Sequence, residues 1–196
     1  MKELIKKTRT YRKFDSSRPI DDKTLEELIE LGRFSGSARN CQPWQYLIVN
    51  DREECEKVFP HLGWAGYLTD WKGPDESQRP TAYILCYLNR EWLKGTLQEA
   101  QFDLGIATQN MLLGATDMGL GGCRIGAFSP KIVEFFPQPE HLELHLVIAL
   151  GTPAEKVVIE ESRGEDIKYW RDEQQVHHVP KRSLAEILLP ATKEPV

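Results

Sequence analysis

Long apolar runs are missing from this chain. The most apolar stretches, Tyr83 to Leu88 and Leu146 to Leu150, fall far short of the roughly 20 residues that a membrane-spanning helix needs. A surplus of positive charge is missing too. Lys and Arg number 25 against 30 Asp and Glu, a formal net charge of -5, so neither nucleic acid nor an anionic membrane is expected as a partner. Cysteine is sparse: Cys41, Cys55, Cys86 and Cys123 are scattered, with no zinc-type spacing, and an even count alone makes no disulfide framework in a chain this long. Met1 to Lys7 is mixed in charge and short of apolar residues. It does not read as a signal peptide, and a reducing, cytoplasmic setting is the default expectation. No Gly-x-Ser-x-Gly elbow occurs, nor a cysteine with an evident base partner, so nothing argues for covalent hydrolysis. There is no internal repeat and no low-complexity tract. The 196 residues suit a single domain, 1–196, with its own core.

What is present reads as mixed helix and strand. Asp21 and Asp22 precede Leu25, Leu28, Ile29 and Leu31, a helix start followed by an apolar stripe at helical spacing. Tyr46 to Val49 reads as a short buried strand, Asp51 to Phe59 as a charged helix, and Tyr83 to Leu88 as a second strand. Between them, Gly63 to Pro80 reads as a long loop, a length that is uncommon and often functional. Leu97 to Met118 predicts a helix apolar on several sides and hence central to the core, ended by Gly119. Ser129-Pro130 reads as the cap and first turn of a short helix closed by Pro137. Leu142 to Leu150 predicts a strand with Leu144, Leu146, Ile148 and Leu150 on one face, and Ser183 to Leu189 a last short helix. Helices and strands do not alternate strictly, which favours α+β over a doubly wound sheet.

Three stretches carry candidate ligand chemistry. Arg9-Thr10-Tyr11-Arg12-Lys13-Phe14 offers guanidinium forks and a hydroxyl to an anion; a solvated basic end would look the same. Ser37-Ala38-Arg39-Asn40-Cys41-Gln42-Pro43-Trp44 offers a hydroxyl, two amides and an arginine, groups that can recognise a heterocycle edge; a capping turn would also fit. Gly119-Leu120-Gly121-Gly122-Cys123-Arg124-Ile125-Gly126-Ala127 lets backbone approach a ligand, or simply ends a helix. It is neither a dinucleotide fingerprint nor a phosphate loop: Arg124 stands where a third glycine would be needed, and no Lys-Ser/Thr pair follows Gly126. His141 and His145 flank Glu143 without zinc-protease spacing, and on a strand they read as an exposed, edge-facing row. His177-His178 lacks the further ligands that a metal site needs, and no metal is expected.

In order and spacing, RTYRKF, SARNCQPWQYLIV, DLGIATQNMLLGATDMGLGGCRIGAF, VIALGTP and VPKRSLAEIL together resemble the nitroreductase family of FMN-dependent oxidoreductases. The resemblance implies an α+β fold with a central, mostly antiparallel sheet flanked by helices, in an intertwined homodimer with FMN at the interface. It implies that Arg9, Thr10 and Arg12 contact the FMN phosphate and ribityl chain. Ser37, Ala38, Asn40 and Gln42 would lie along the ribityl and ring edge, and Ile125, Gly126 and Ala127 beside the reactive ring nitrogen. Lys181 and Arg182 would close on the phosphate. No side chain is expected to be catalytic, because the flavin carries the hydride chemistry. NADH or NADPH would be the electron donor, and a nitroaromatic, a quinone or another small molecule the acceptor. A non-catalytic flavin-binding or redox-sensing protein of the same fold is the alternative, and a dehalogenase-type relative another. Two features depart from the family pattern. Thr8 stands where many members carry a basic residue, which shifts weight to Arg12 and Arg182, and Arg39 is unusual in the Ser-x-x-Asn stretch. The Gly63 to Pro80 loop, with Trp64, Tyr67 and Trp71, is a candidate cover for the flavin or a dimer contact.

Overall fold

Buried strand residues at period two and helical stripes at period three to four build this chain around one antiparallel sheet. The computed structural model describes residues 1–162 and 164–189; the last stretch of the expected 1–196 domain, 190–196, and residue 163 lie outside them. A short helix α1 (Lys2–Lys7) leads through an extended segment to α2 (Asp22–Arg33), whose cap Asp21 accepts from the Thr24 N–H at 2.7 Å. Then follow β1 (Trp44–Val49), α3 (Arg52–Val58), β2 (Ala82–Asn89), α4 (Leu97–Asp117), β3 (Gly121–Ile125), α5 (Ile132–Phe135) and β4 (Leu142–Gly151). A C-terminal part adds β5 (Val157–Glu161), β6 (Trp170–Arg171), β7 (His177–Lys181) and α6 (Leu184–Ile187).

The main sheet runs β1-β2-β4-β3, antiparallel throughout. Every residue of β2 is buried, so its two faces feed two cores. Ile84, Cys86 and Leu88 meet Leu25, Leu28 and Met111 from α2 and α4. Tyr83, Leu85 and Tyr87 meet Val58, Leu62 and Ile132 on the other face. Helices α2 and α4 cross closely because the contact positions are small: a Cβ on Gly114 would stand 2.2 Å from Leu31 Cδ1, and one on Gly32 2.4 Å from Met111 Cε. Thr96 and Glu99 close a capping box at the start of α4, which satisfies two otherwise orphaned donors. Phe102 and Ile106 leave one face of α4 open to solvent. Among the described residues no helix is long and apolar enough to cross a membrane.

The α+β architecture is as expected, but four local expectations change. The glycine run read as a loop or helix end contains β3. Leu144 leaves the face of its neighbours because β4 bulges: Cys86 pairs with Leu146 and Tyr87 with Leu144, which skips His145 and flips the strand's facing. Leu146, Ile148 and Leu150 pack on one core, Leu142 and Leu144 on the other. The same bulge removes the exposed histidine row. Strand β4 lies inside the sheet, and His145 meets the Trp44 ring edge-on at 5.5 Å. Finally, α5 starts at Ile132 rather than Pro130, with the Ser129 hydroxyl accepting from Lys131 N–H at 3.3 Å. The small sheet β5-β7-β6 has one parallel and one antiparallel pairing and had no counterpart in the sequence reading.

Candidate functional site

The N-terminal basic stretch threads between β3 and the C-terminal sheet. Thr10 bridges Gly122, and Tyr11 N–H donates to Gly122 O at 3.1 Å. Thr8 is buried and its hydroxyl donates back to Leu4 O. Arg9 also turns back, Nη2 donating to Ile5 O at 2.7 Å. Arg12 goes inward. Only 9% exposed, it sets Nη1 3.1 Å from His177 Nε2 and its guanidinium 4.7 Å over the Tyr169 ring. Lys13 points outward to Gln175.

His177 is fully buried. Burial first, then the charges of Arg12, Arg171 and His178, push its pKa down to about 4. The ring is therefore neutral, and Nε2 accepts from Arg12. Glu155, with a side chain 2% exposed, accepts from the backbone N–H groups of Arg12 and Lys13 and pairs with Arg171 at 2.9 Å. Glu155 thus neutralises Arg171, while Arg12 makes no ion pair among the described residues. Five buried donors in the basic and C-terminal segments lack partners among the described residues: Nε of Arg9, Arg12 and Arg171, Nδ1 of His177 and Oγ of Ser162. Buried donors without acceptors are costly unless a ligand or water satisfies them, and an excess of donors with positive charge is the chemistry of an anion site.

The second stretch is a strained loop. Arg39, Asn40 and Gln42 have φ of 55°, 52° and 49°, a region that residues with a Cβ rarely adopt. Ser37 Oγ donates to Asp103 Oδ2 at 2.7 Å, Ala38 N–H donates to the same carboxylate at 3.0 Å, and Gln42 N–H donates to Ser37 Oγ at 2.9 Å. The Asn40 and Gln42 side chains are exposed. Arg39 points away from them to Glu99 at 2.6 Å. The Thr96 N–H, and after it Arg39, hold the Glu99 carboxyl down at about 2. A cleft of about 430 Å³ lies against this loop, lined by Gly32, Ser37, Gln42, Trp44, Tyr46 and Asp103 among others.

The third stretch follows β3. Ile125 is buried, and Gly126 and Ala127 are exposed. The segment is held from one side by the start of the 63–80 loop: Gly63 N–H donates to Ala127 O at 2.7 Å, and Ser129 N–H to His61 O at 2.8 Å. A Cβ built on Gly126 meets nothing within 4 Å, so its open side is free for a ligand. Gly121 and Gly122 differ. There a Cβ would meet the Tyr11 ring at 2.5 Å or Leu112 at 2.6 Å, so the close approach they permit is the protein's own. Of the loop aromatics, Trp64 packs in the core and Trp71 lies under Arg171 at 4.2 Å. Tyr67 is half exposed and packs against Tyr169, the ring centroids 4.9 Å apart and the planes tilted by 52°.

Within one chain these groups stay apart. Thr10 and Gly122 pack near Leu112, while Ser37 hangs from Asp103, nine residues earlier on α4, or about 14 Å at 1.5 Å per residue. Lys181 sits four residues along β7 from His177, about 13 Å by strand rise; it pairs with Glu161 in the sheet, and Arg182 lies 3.6 Å from Glu186. Sequence reading missed Asp103, Glu155, Tyr169 and His177. For Asp103 a signal was there: a carboxylate inside the buried stripe Ala100, Leu104, Ala107 and Met111 needs a dedicated set of donors. Of the other three, His177 lies in a small sheet that the pattern did not reveal, and Glu155 and Tyr169 lie in the segments leading into it.

The nitroreductase family model matches residues 5–152. A Methanothermobacter thermautotrophicus protein, provisionally named an NADH dehydrogenase/NAD(P)H nitroreductase, is 30% identical over 159 residues, covering 78% of this chain and 77% of its own length. An Archaeoglobus fulgidus protein of the same provisional name is 26% identical over 170 residues, covering 80% and 88%. A solved structure from Desulfovibrio desulfuricans, provisionally named a nitroreductase and in complex with FMN, is similar in fold with a TM-score of 0.69. It is 23% identical and covers 98% of this chain and 96% of its own.

Proposed function

The chain belongs to the nitroreductase family, and from that premise we propose that it is an FMN-dependent oxidoreductase passing electrons from NADH or NADPH to a small organic acceptor such as a nitroaromatic or a quinone. The observation that carries the cofactor assignment is Arg12: a buried guanidinium with no carboxylate partner among the described residues, beside a neutral histidine and donors that lack acceptors. That arrangement fits a terminal phosphate. When bound, FMN would supply two-electron chemistry, so that no acid–base pair or nucleophile from the chain is required.

The remaining roles belong to this chain's own groups. Arg12 and Thr10 would hold the phosphate, with Arg9, Lys181 and Arg182 adding positive field. Ser37, Ala38, Asn40 and Gln42 would line the ribityl and ring edge, where exposed amides can both donate and accept. Ile125, Gly126 and Ala127 would form the backbone wall beside the reacting ring position, with Gly126 leaving room for close stacking. Because these groups stand apart in one chain, the reading includes a homodimer in which a second copy completes each site; Phe102, Ile106, Leu184, Ile187 and Leu188, all exposed, are apolar surface for that contact. It takes residues 1–196 as one domain. Four free thiols suit a reducing cytoplasm. Release of the bound cofactor by denaturation tests the assignment: FMN is expected, and FAD or no flavin overturns it.

A further inference from the structure

We propose that Asp103 is a positioning residue: its buried carboxylate holds the Ser37–Gln42 loop in the left-handed shape that presents Asn40 and Gln42, and through that loop it sets flavin affinity. The inference rests on the FMN reading above. Asp103 is 7% exposed and has no cation partner among the described residues. Among the described residues its side chain accepts from one loop, from Ser37 Oγ and from Ala38 N–H. A buried carboxylate persists only where donors compensate it, so the carboxylate and the loop hold each other.

Ser37 passes the constraint on. Its hydroxyl donates a hydrogen bond to Asp103 and accepts one from the Gln42 N–H at 2.9 Å, which closes the loop across its left-handed residues. Arginine and glutamine disfavour that backbone region, so the shape has to be imposed from outside. Asp103 does so at the start of the loop. Glu99 holds Arg39, and Cys41 Sγ accepts from Lys94 N–H at 3.1 Å. These anchors lie on α4 and on the turn before it, so the loop is tied to the helix in addition to its own internal hydrogen bonds.

An asparagine can keep the arrangement. Its amide oxygen would accept from Ala38 N–H, and its NH₂ would donate to a Ser37 hydroxyl turned the other way. The test compares Asp103→Ala, Asp103→Asn and Ser37→Ala with the unaltered protein by amide hydrogen exchange without cofactor and by FMN titration. Asp103→Ala and Ser37→Ala are expected to speed exchange at residues 37–42 and weaken FMN by at least about tenfold. Asp103→Asn is expected to restore most of both. Unchanged exchange at 37–42 in both Asp103→Ala and Ser37→Ala overturns the inference, as does unchanged FMN affinity in a protein whose melting temperature alone has fallen. If the unaltered protein binds no FMN, the cofactor reading fails, and the exchange data still decide whether Asp103 governs the loop.

Discussion

Arg12 and Lys13 are neighbours in sequence with opposite surroundings: the first is buried against His177, the second reaches Gln175 at the surface. Arg12→Ala should therefore weaken FMN at least tenfold, since a charge-assisted hydrogen bond contributes roughly 1.5–3 kcal/mol and about 1.4 kcal/mol is tenfold. Lys13→Ala should change it little. Equal losses by titration would point to general surface charge instead of a built site. Gly126→Val separates chemistry from folding, because the added side chain enters open space at an ordinary backbone angle. Melting temperature and FMN content should hold while flavin reduction by NADH or NADPH slows, as hydride transfer depends steeply on approach; an unchanged stopped-flow rate would show that this segment is not beside the ring. His177 makes a prediction about pH. Its folded pKa of about 4 lies below the ordinary 6.5, so the unfolded chain takes the proton first. The protein loses stability as pH falls from about 6.5 towards 4, by up to about 3 kcal/mol from this group. Denaturant titration across that range should show a shallower acid-side loss for His177→Asn; identical slopes would contradict a neutral buried imidazole. At this scale the sequence displayed the donors but not their partners. Arg12 stood out as a candidate ligand group, yet nothing in RTYRKF tells which arginine turns inward. That is decided by His177, 165 positions away.

The elements most legible from sequence were those with one long period and a clear stop. Helix α4 has its apolar residues at helical spacing, a Thr-x-x-Glu box at its start and Gly119 with φ of 77° at its end. Thr96→Ala should lower unfolding free energy by about 1 kcal/mol without touching FMN affinity, as measured by thermal melts and titration; a matching loss of affinity would mean that α4 fraying reaches the site. Strand β2 was legible because an unbroken apolar run between turn signals is buried on both faces. Strand β3 was not, because Gly121 and Gly122 are there to admit Tyr11 and Leu112 and carry no strand propensity of their own. Strand β7 hid behind Pro180. A proline argues against a central strand, and here it lies past the reach of β6, which pairs only at His177 and His178. The bulge at His145 broke the alternation from which the face of Leu144 was read.

For the whole molecule, the sequence carried the fold class and marked the candidate stretches, because these follow from local pattern and from the order of five motifs along the chain. It did not carry their separation, which depends on where α4 and the C-terminal sheet place each stretch. That separation is why the account needs a second copy. Light scattering on the FMN-loaded protein should give the mass of a dimer, and dilution should release flavin and dissociate subunits together; a stable monomer with full flavin occupancy contradicts this. The central claim is electron transfer from a nicotinamide through bound FMN to an organic acceptor. The most direct measurement mixes the FMN-loaded protein with NADH or NADPH without oxygen, follows the oxidised-flavin absorption, and then adds a quinone or nitroaromatic. The account predicts rapid bleaching with at least one donor and full return of colour on adding acceptor. Bound FMN that stays oxidised with both donors in excess would contradict it and leave a flavin-binding protein without turnover.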